Sequence, residues 1–366
     1  MIQVYRIIIT VIVIIAIILA AFLAVQLLVN GFIYGVVFHR FEAPDPDTEL
    51  SFRDPDMAGY PYREFFFRCG KNSLTARHFG AGNPKGLIVI AHGIYSRMES
   101  QLAEMKAFAD QGWQVILFDG TGTARSEGRT LGSIAQRRFD LAALLDCVKA
   151  QKEFRGLPVC IYGHSMGAYG AAAVLKTHYK QICAAVCVNG FNLPLEELMQ
   201  EVTKRIGAAS VLERPFIRFW SRILFGREWN ASAVEGINAS EVPVLLVQGT
   251  DDQVIPPETI SISAFRGEIR NPNIHVLIRD QEDRNGHATV WLSERAGRYV
   301  RQKKEELLEL QGRYGGKLPE EITADYELSV DRTLYHELDP EYMRQIETFF
   351  AEASRGGRDG YVSESH

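Results

Sequence analysis

Residues 7–29 read IIITVIVIIAIILAAFLAVQLLV, a run in which only Thr10 and Gln26 are polar and none is charged. As a helix rising about 1.5 Å per residue it would reach roughly 34 Å, enough to cross a hydrocarbon layer of about 30 Å. The run is therefore read as one membrane span, with residues 1–39 as an N-terminal anchor. A cleaved signal peptide would carry a shorter apolar region, roughly 7–15 residues, and an Ala-x-Ala-like site. This run is longer and has no such site. Arg6 and the α-amine on one side, and His39 and Arg40 on the other, orient the span only weakly. The expectation adopted is a single-pass protein with its amino end inside and its bulk outside the cytoplasm.

Apart from Arg6, every charged side chain lies at residue 40 or beyond, so the rest of the chain has an ordinary water-soluble character. A net charge of −5 gives no clustered positive field and argues against nucleic acid as a partner. A hydrophobic content of 46% supplies the core that a disordered chain lacks. Cys69, Cys147, Cys160, Cys183 and Cys187 are an odd set without CxxC spacing, so neither a metal site nor a disulfide framework is expected. The sequons at Asn230 and Asn238 bear on the chain only in a eukaryotic secretory setting.

A Pro- and Asp-rich stretch follows the span, and residues 40–62 are read as a linker. Apolar runs then alternate with amphipathic segments. A hairpin is expected over 63–79 around Gly70, then strands at 86–91, 113–118, 157–162, 184–189, 243–248 and 274–278. Helices are expected at 99–111, 134–151 and 168–177. This alternation predicts an α/β fold with a mostly parallel central sheet and helices on both faces. Ligands of such sheets bind at the carboxyl ends of the strands.

The distinctive residues all fall at those ends. Gly163-His-Ser165-Met-Gly167 stands between a strand and a helix rich in small residues, the context in which a sharp turn lifts a serine Oγ out of the sheet as a nucleophile. His287, in the polar turn Asp283-Arg-Asn-Gly-His287 after the last strand, is the candidate base. His92 and His164 sit beside other motifs with local structural roles; His39, His78, His178, His275, His336 and His366 are assigned nothing. Gly249-Thr-Asp251-Asp252-Gln-Val-Ile-Pro256 offers two acids, and the spacing favours Asp252 with Asp251 as the alternative. Two converging backbone N–H groups, of Met166 and Ile94, would stabilise an oxyanion.

These motifs, together with Ala91-His-Gly93 and Phe118-Asp-Gly-Thr-Gly122-Thr-Ala-Arg-Ser126-Glu-Gly128, resemble the α/β-hydrolase superfamily, and within it the monoacylglycerol-lipase and serine-aminopeptidase-like group. The likeness covers residues 62–299 and a final helix near 340–350. Ala124 departs from the pattern, which commonly has glycine there. The resemblance implies a hydrolase domain over 63–352 with a helical lid at about 193–242, and a flexible tail over 353–366. It implies hydrolysis of an ester, thioester or amide through an acyl-enzyme, with no metal or organic cofactor and a small-molecule acyl substrate.

Helices at 195–206 and 215–224 fall in the lid. Phe216, Phe219 and Trp220, with Phe225 and Trp229, would either line an acyl pocket or pack the lid itself. Two further readings stand beside a lipid-like ester hydrolase. One is an aminopeptidase-like amide hydrolase, whose substrate amine would need an acidic cluster drawn from Glu196, Glu197, Glu201, Glu213, Glu228, Glu235 and Glu241. The other is a non-catalytic binding module, disfavoured because nucleophile, base and acid are all present. Residues 301–313 read as a charged, solvated helix.

Overall fold

The computed structural model describes residues 2–42 and 59–361. Helix α1 (Ile2–Val37) contains the apolar run and is long and apolar enough to cross a membrane, with none of its apolar window buried. After it come β1 (Tyr62–Cys69), β2 (Asn72–Phe79), β3 (Leu87–Ala91), α2 (Leu102–Asp110), β4 (Gln114–Phe118), α3 (Gln136–Ala150), β5 (Val159–His164), α4 (Met166–His178) and β6 (Ala184–Val188). Three helices follow, α5 (Pro194–Ile206), α6 (Arg214–Phe225) and α7 (Ala233–Asn238). The chain ends with β7 (Val244–Gly249), β8 (Ile274–Arg279), α8 (Glu294–Arg313), α9 (Glu320–Leu328), α10 (Arg332–Tyr335) and α11 (Pro340–Tyr361).

One sheet runs β1-β2-β4-β3-β5-β6-β7-β8, antiparallel through β1, β2 and β4 and parallel from β4 to β8. Successive side chains of a strand face opposite ways, so an unbroken apolar run is stable only with both faces covered. In β3, Leu87, Val89 and Ala91 join the core made with α3, α4 and α7, whereas Ile88 and Ile90 join the core made with α2 and α11. The sheet thus carries helices on both faces, as the alternating pattern predicts.

Three expectations change. The start of the expected helix 99–111 is a tighter 3₁₀ turn, Met98–Gln101, whose Met98 N–H donates to Asp119 Oδ1 at 2.9 Å. Helix α11 continues to Tyr361, past residue 353 where a flexible tail was expected. Finally, the expected spacer does not begin at residue 40, because the chain just after α1 is stitched into the domain. Leu131 N–H donates to the Phe38 carbonyl at 2.8 Å, Phe41 N–H to Gly122 at 2.9 Å and Ala124 N–H to Phe41 at 2.8 Å. The Arg40 guanidinium donates to the carbonyls of Ser126 (2.7 Å), Gly128 (3.1 Å) and Ala124. The remainder of the linker, at 43–58, and residues 362–366 of the tail lie outside the described residues.

Candidate active site

Ser165 sits between β5 and α4 with φ +58° and ψ −119°. A non-glycine residue holds so strained a conformation only where its surroundings impose it. The two flanking glycines show how tight the turn is. A Cβ on Gly163 would lie 2.4 Å from the Gly167 carbonyl oxygen, and one on Gly167 would lie 1.9 Å from that of Ala91. Ser165 N–H donates to the Val188 carbonyl at 2.9 Å, tying the turn to β6. Met166 opens α4, so its N–H belongs to the first turn, where backbone donors have no partner inside the helix and the helix dipole favours negative charge.

The turn after β3 approaches from the other side. A Cβ on Gly93 would stand only 3.4 Å from Ser165 Cβ, which places the Gly93–Ile94 backbone beside the serine. His92 supports that turn from below: its Nδ1 bonds the Gly93 carbonyl at 2.8 Å and its Nε2 accepts Gly120 N–H at 3.3 Å. Burial, with the Arg137 guanidinium beside it, holds the His92 imidazole well below its ordinary range and hence neutral.

His287 Nδ1 lies 2.8 Å from Asp252 Oδ2. The other carboxylate oxygen, Oδ1, accepts the N–H groups of Val254 (2.9 Å) and Ile255 (2.8 Å), so the acid is fixed by its own turn. A carboxylate on Nδ1 selects the tautomer protonated there and leaves Nε2 as the free base. Asp251 is exposed and accepts Gln253 Nε2 at 2.6 Å instead. Ser165 and His287 line the same cavity of about 420 Å³, together with Gly93, Ile94 and Met166. A second cavity, about 480 Å³ between β7, β8 and α11, contains none of these groups.

Two neighbours hold the histidine loop. His164 Nε2 bonds the His287 carbonyl at 2.9 Å; burial and the adjacent His287 push its pKa down to about 3, so it serves as a neutral strut. Asn189, at the end of β6 with φ +50°, donates to the His287 carbonyl at 2.8 Å and accepts Gly249 N–H at 2.9 Å. It joins the loop of His287 to β7, the strand that leads to Asp252. Its only sequence signal was its place at a strand end.

Phe216, Phe219 and Trp220 do not line this cavity. Phe219 is exposed, and the Trp220 indole N–H donates to the Leu27 carbonyl of α1 at 2.9 Å. Trp220 thus packs on α1, while Phe225 at the end of α6 stacks on Phe139 of α3 at 5.6 Å, so these side chains belong to the expectation of packing rather than of a pocket. The cavity wall instead includes residues that sequence reasoning passed over, Gln101, Glu104, Tyr335 and His336, and, of the acids it named, Glu197 of α5. Burial raises both Glu104 and Glu197 to about 7, and Glu201 adds to the rise at Glu197. The Gln101 Oε1 is buried without a hydrogen-bond partner. Tyr335 and His336 arrive because the segment after α8 folds back, with Ser293 N–H donating to the Glu337 carbonyl at 2.9 Å. In that fold Lys303, expected on a solvated face, is buried against Tyr326 of α9.

Comparison with known proteins adds the following. The family described as serine aminopeptidase, S33, matches residues 82–224. The uncharacterised protein YqkD of Bacillus subtilis (strain 168) is 26% identical over 228 residues, covering 60% of this chain and 68% of its own. The monoglyceride lipase of Homo sapiens is 36% identical over 133 residues, a match spanning 36% of this chain and 43% of that enzyme. Among solved structures, an esterase of Pyrococcus furiosus is similar with a TM-score of 0.53 at 17% identity, covering 75% of this chain and 98% of its own. That last likeness concerns the fold.

Proposed function

We propose that the chain is an enzyme of the α/β-hydrolase type, a membrane-anchored serine hydrolase cleaving a carboxylic ester through an acyl-enzyme, a reading supported by the family match over residues 82–224 and by the fold. The observation that carries the reading is the His287 Nδ1 to Asp252 Oδ2 contact of 2.8 Å, with the imidazole on the same cavity as the strained Ser165.

In this reading Ser165 Oγ attacks the ester carbonyl carbon while its proton passes to His287 Nε2. Asp252 holds the imidazolium that forms. The carbonyl oxygen becomes an oxyanion facing the Ile94 and Met166 N–H groups; losing one such donor typically costs about 10²–10³-fold in turnover. Collapse breaks the C–O bond, and the alcohol leaves with the proton from His287. Water, deprotonated by the same nitrogen, then attacks the acyl-enzyme and releases the acid and Ser165. Helix α1 supports the anchoring, and the apolar wall formed by Ile94, Ile134, Met166 and Phe191 suits a hydrophobic acyl group.

A second reading, hydrolysis of aminoacyl amides, is favoured by Glu197, a carboxyl on the cavity wall able to meet a substrate amine. The two are separated by turnover of p-nitrophenyl esters of increasing acyl length against aminoacyl p-nitroanilides, with Ser165→Ala as the blank. The ester reading expects turnover rising with acyl length and little on the anilides. Turnover confined to anilides transfers the assignment to the peptidase, and equal background from both proteins removes it.

A further inference from the structure

Helix α6 has three faces. Arg214, Arg218 and Arg222 recur every four residues along one. Ile217 and Ser221 are buried, Ile217 in the apolar core and Ser221 on the Tyr34 hydroxyl. On the third, Phe219 and Ile223 remain 44% and 57% exposed, Leu224 beyond Trp220 at the end of the helix is 50% exposed, and the turn before the helix adds Val211 and Leu212 at 64% and 68%. An apolar face this exposed, set opposite a row of arginines, is the composition of a helix that lies in a membrane interface.

The position of α6 against α1 identifies what covers it. Trp220 Nε1 donates to the carbonyl of Leu27, which lies within the apolar run, at 2.9 Å. One turn later Asn30 Nδ2 donates to Glu213 Oε2 at 2.8 Å, and the Tyr34 and Ser221 hydroxyls share a bond of 2.7 Å. Gly31 permits the approach, since a Cβ there would lie 2.7 Å from Trp220 Cζ2. The apolar run ends at Val29 with Asn30 next, so these contacts set α6 where α1 passes from hydrocarbon to headgroups, the depth at which tryptophan concentrates and arginine meets lipid phosphate. The same end of α1 also meets the wall of the active-site cavity: Tyr95, next after Ile94, donates to the Val37 carbonyl, and its ring stacks on His39 at 5.7 Å.

We infer that α6 lies in the headgroup layer of the bilayer that α1 spans, its Phe219 and Ile223 face in the acyl boundary, so that the catalytic domain is docked on the membrane by its α6 side. The inference rests on the reading of α1 as a span and selects a membrane-resident amphiphile as the substrate class.

The test uses the full chain in vesicles of phosphatidylcholine and phosphatidylglycerol, with or without acyl chains brominated near the headgroup. Tryptophan emission is compared for Trp220→Phe alone and for that variant carrying Ile223→Trp or, as the control on α8, Leu308→Trp. The inference expects bromolipid to remove a large part of the emission added by Ile223→Trp and almost none of that added by Leu308→Trp. Equal and slight quenching at both sites, in protein that stays with the vesicles after an alkaline carbonate wash, overturns it. Loss of the protein in that wash instead overturns the span reading on which it rests. Disulfide cross-linking of Ile223→Cys between two chains, with no quenching, would assign the face to a second copy and overturn it as well. None of these readouts depends on catalysis, so failure of the hydrolase reading is separately visible.

Discussion

At Asp252 the two carboxylate oxygens do different work, one held by the turn that follows and one turned to His287. The neighbouring Asp251 carries an identical group that points to Gln253. Asp252→Asn is therefore expected to cut kcat by about 10⁴-fold, through loss of the tautomer that frees Nε2, while Asp251→Asn stays close to native; steady-state rates on one soluble ester settle it, and the reverse pattern would move the acid. The sequence spacing already favoured Asp252, because a strand-end turn places its residues in order. It could not reveal Asn189, whose partners lie 60 and 98 positions away in the chain. At Ala124 a φ of +41°, the region glycine adopts freely, accounts for the glycine common in the resembled pattern, and its backbone anchors Arg40 and Phe41; nothing in the structure explains the alanine.

Among the elements, the strands were the most legible, since a run buried on both faces needs no periodicity to be seen. Between β6 and β7, α5 and α6 were legible as helices but not in their contacts, and the short α7 was not foreseen. The aromatic residues of α6 show helical spacing whether they line a pocket or pack a neighbour, and only the position of α1 separates the two. That contact yields a paired prediction. Gly31→Leu must displace the Trp220 ring and is expected to destabilise the domain by about 1–3 kcal/mol, as overpacking does. Gly35→Leu, with nothing within 4 Å of its Cβ, is expected to leave thermal unfolding in detergent unchanged. Equal midpoints for both variants would mean that α1 and α6 do not pack as described.

At the scale of the whole molecule, the sequence separates into a head whose one charged side chain is Arg6 and a charge-rich body, and a head of that kind reads most simply as a tether. The structure joins them: residues 38–41 are bonded into the domain, and the last turns of α1 hold α6. Such joints depend on contacts between segments far apart in the chain, which no local pattern records. The return of Tyr335 and His336 to the cavity, and the burial of Glu104 beneath it, were hidden for the same reason. Glu104 also sets a pH dependence for the folded state. Its folded pKa of about 7, against an ordinary 4.5, means that the native chain binds this proton more tightly than the unfolded one. Stability should then fall as pH rises from about 4.5 to about 7 and level off above it. Glu104→Gln should flatten that decline, so that its melting temperature exceeds the native value at pH 8 by more than at pH 5; a constant difference would contradict the assignment.

The central claim, that Ser165 is a nucleophile activated by His287, is tested most directly by a fluorophosphonate, which phosphonylates an activated serine without regard to the natural substrate. The full-length protein in detergent is expected to gain one adduct, mapped by peptide mass to Ser165. The Ser165→Ala and His287→Ala variants are expected to gain none over the same interval. A native protein that stays unmodified, or an adduct that persists at the native rate in Ser165→Ala, would contradict the account.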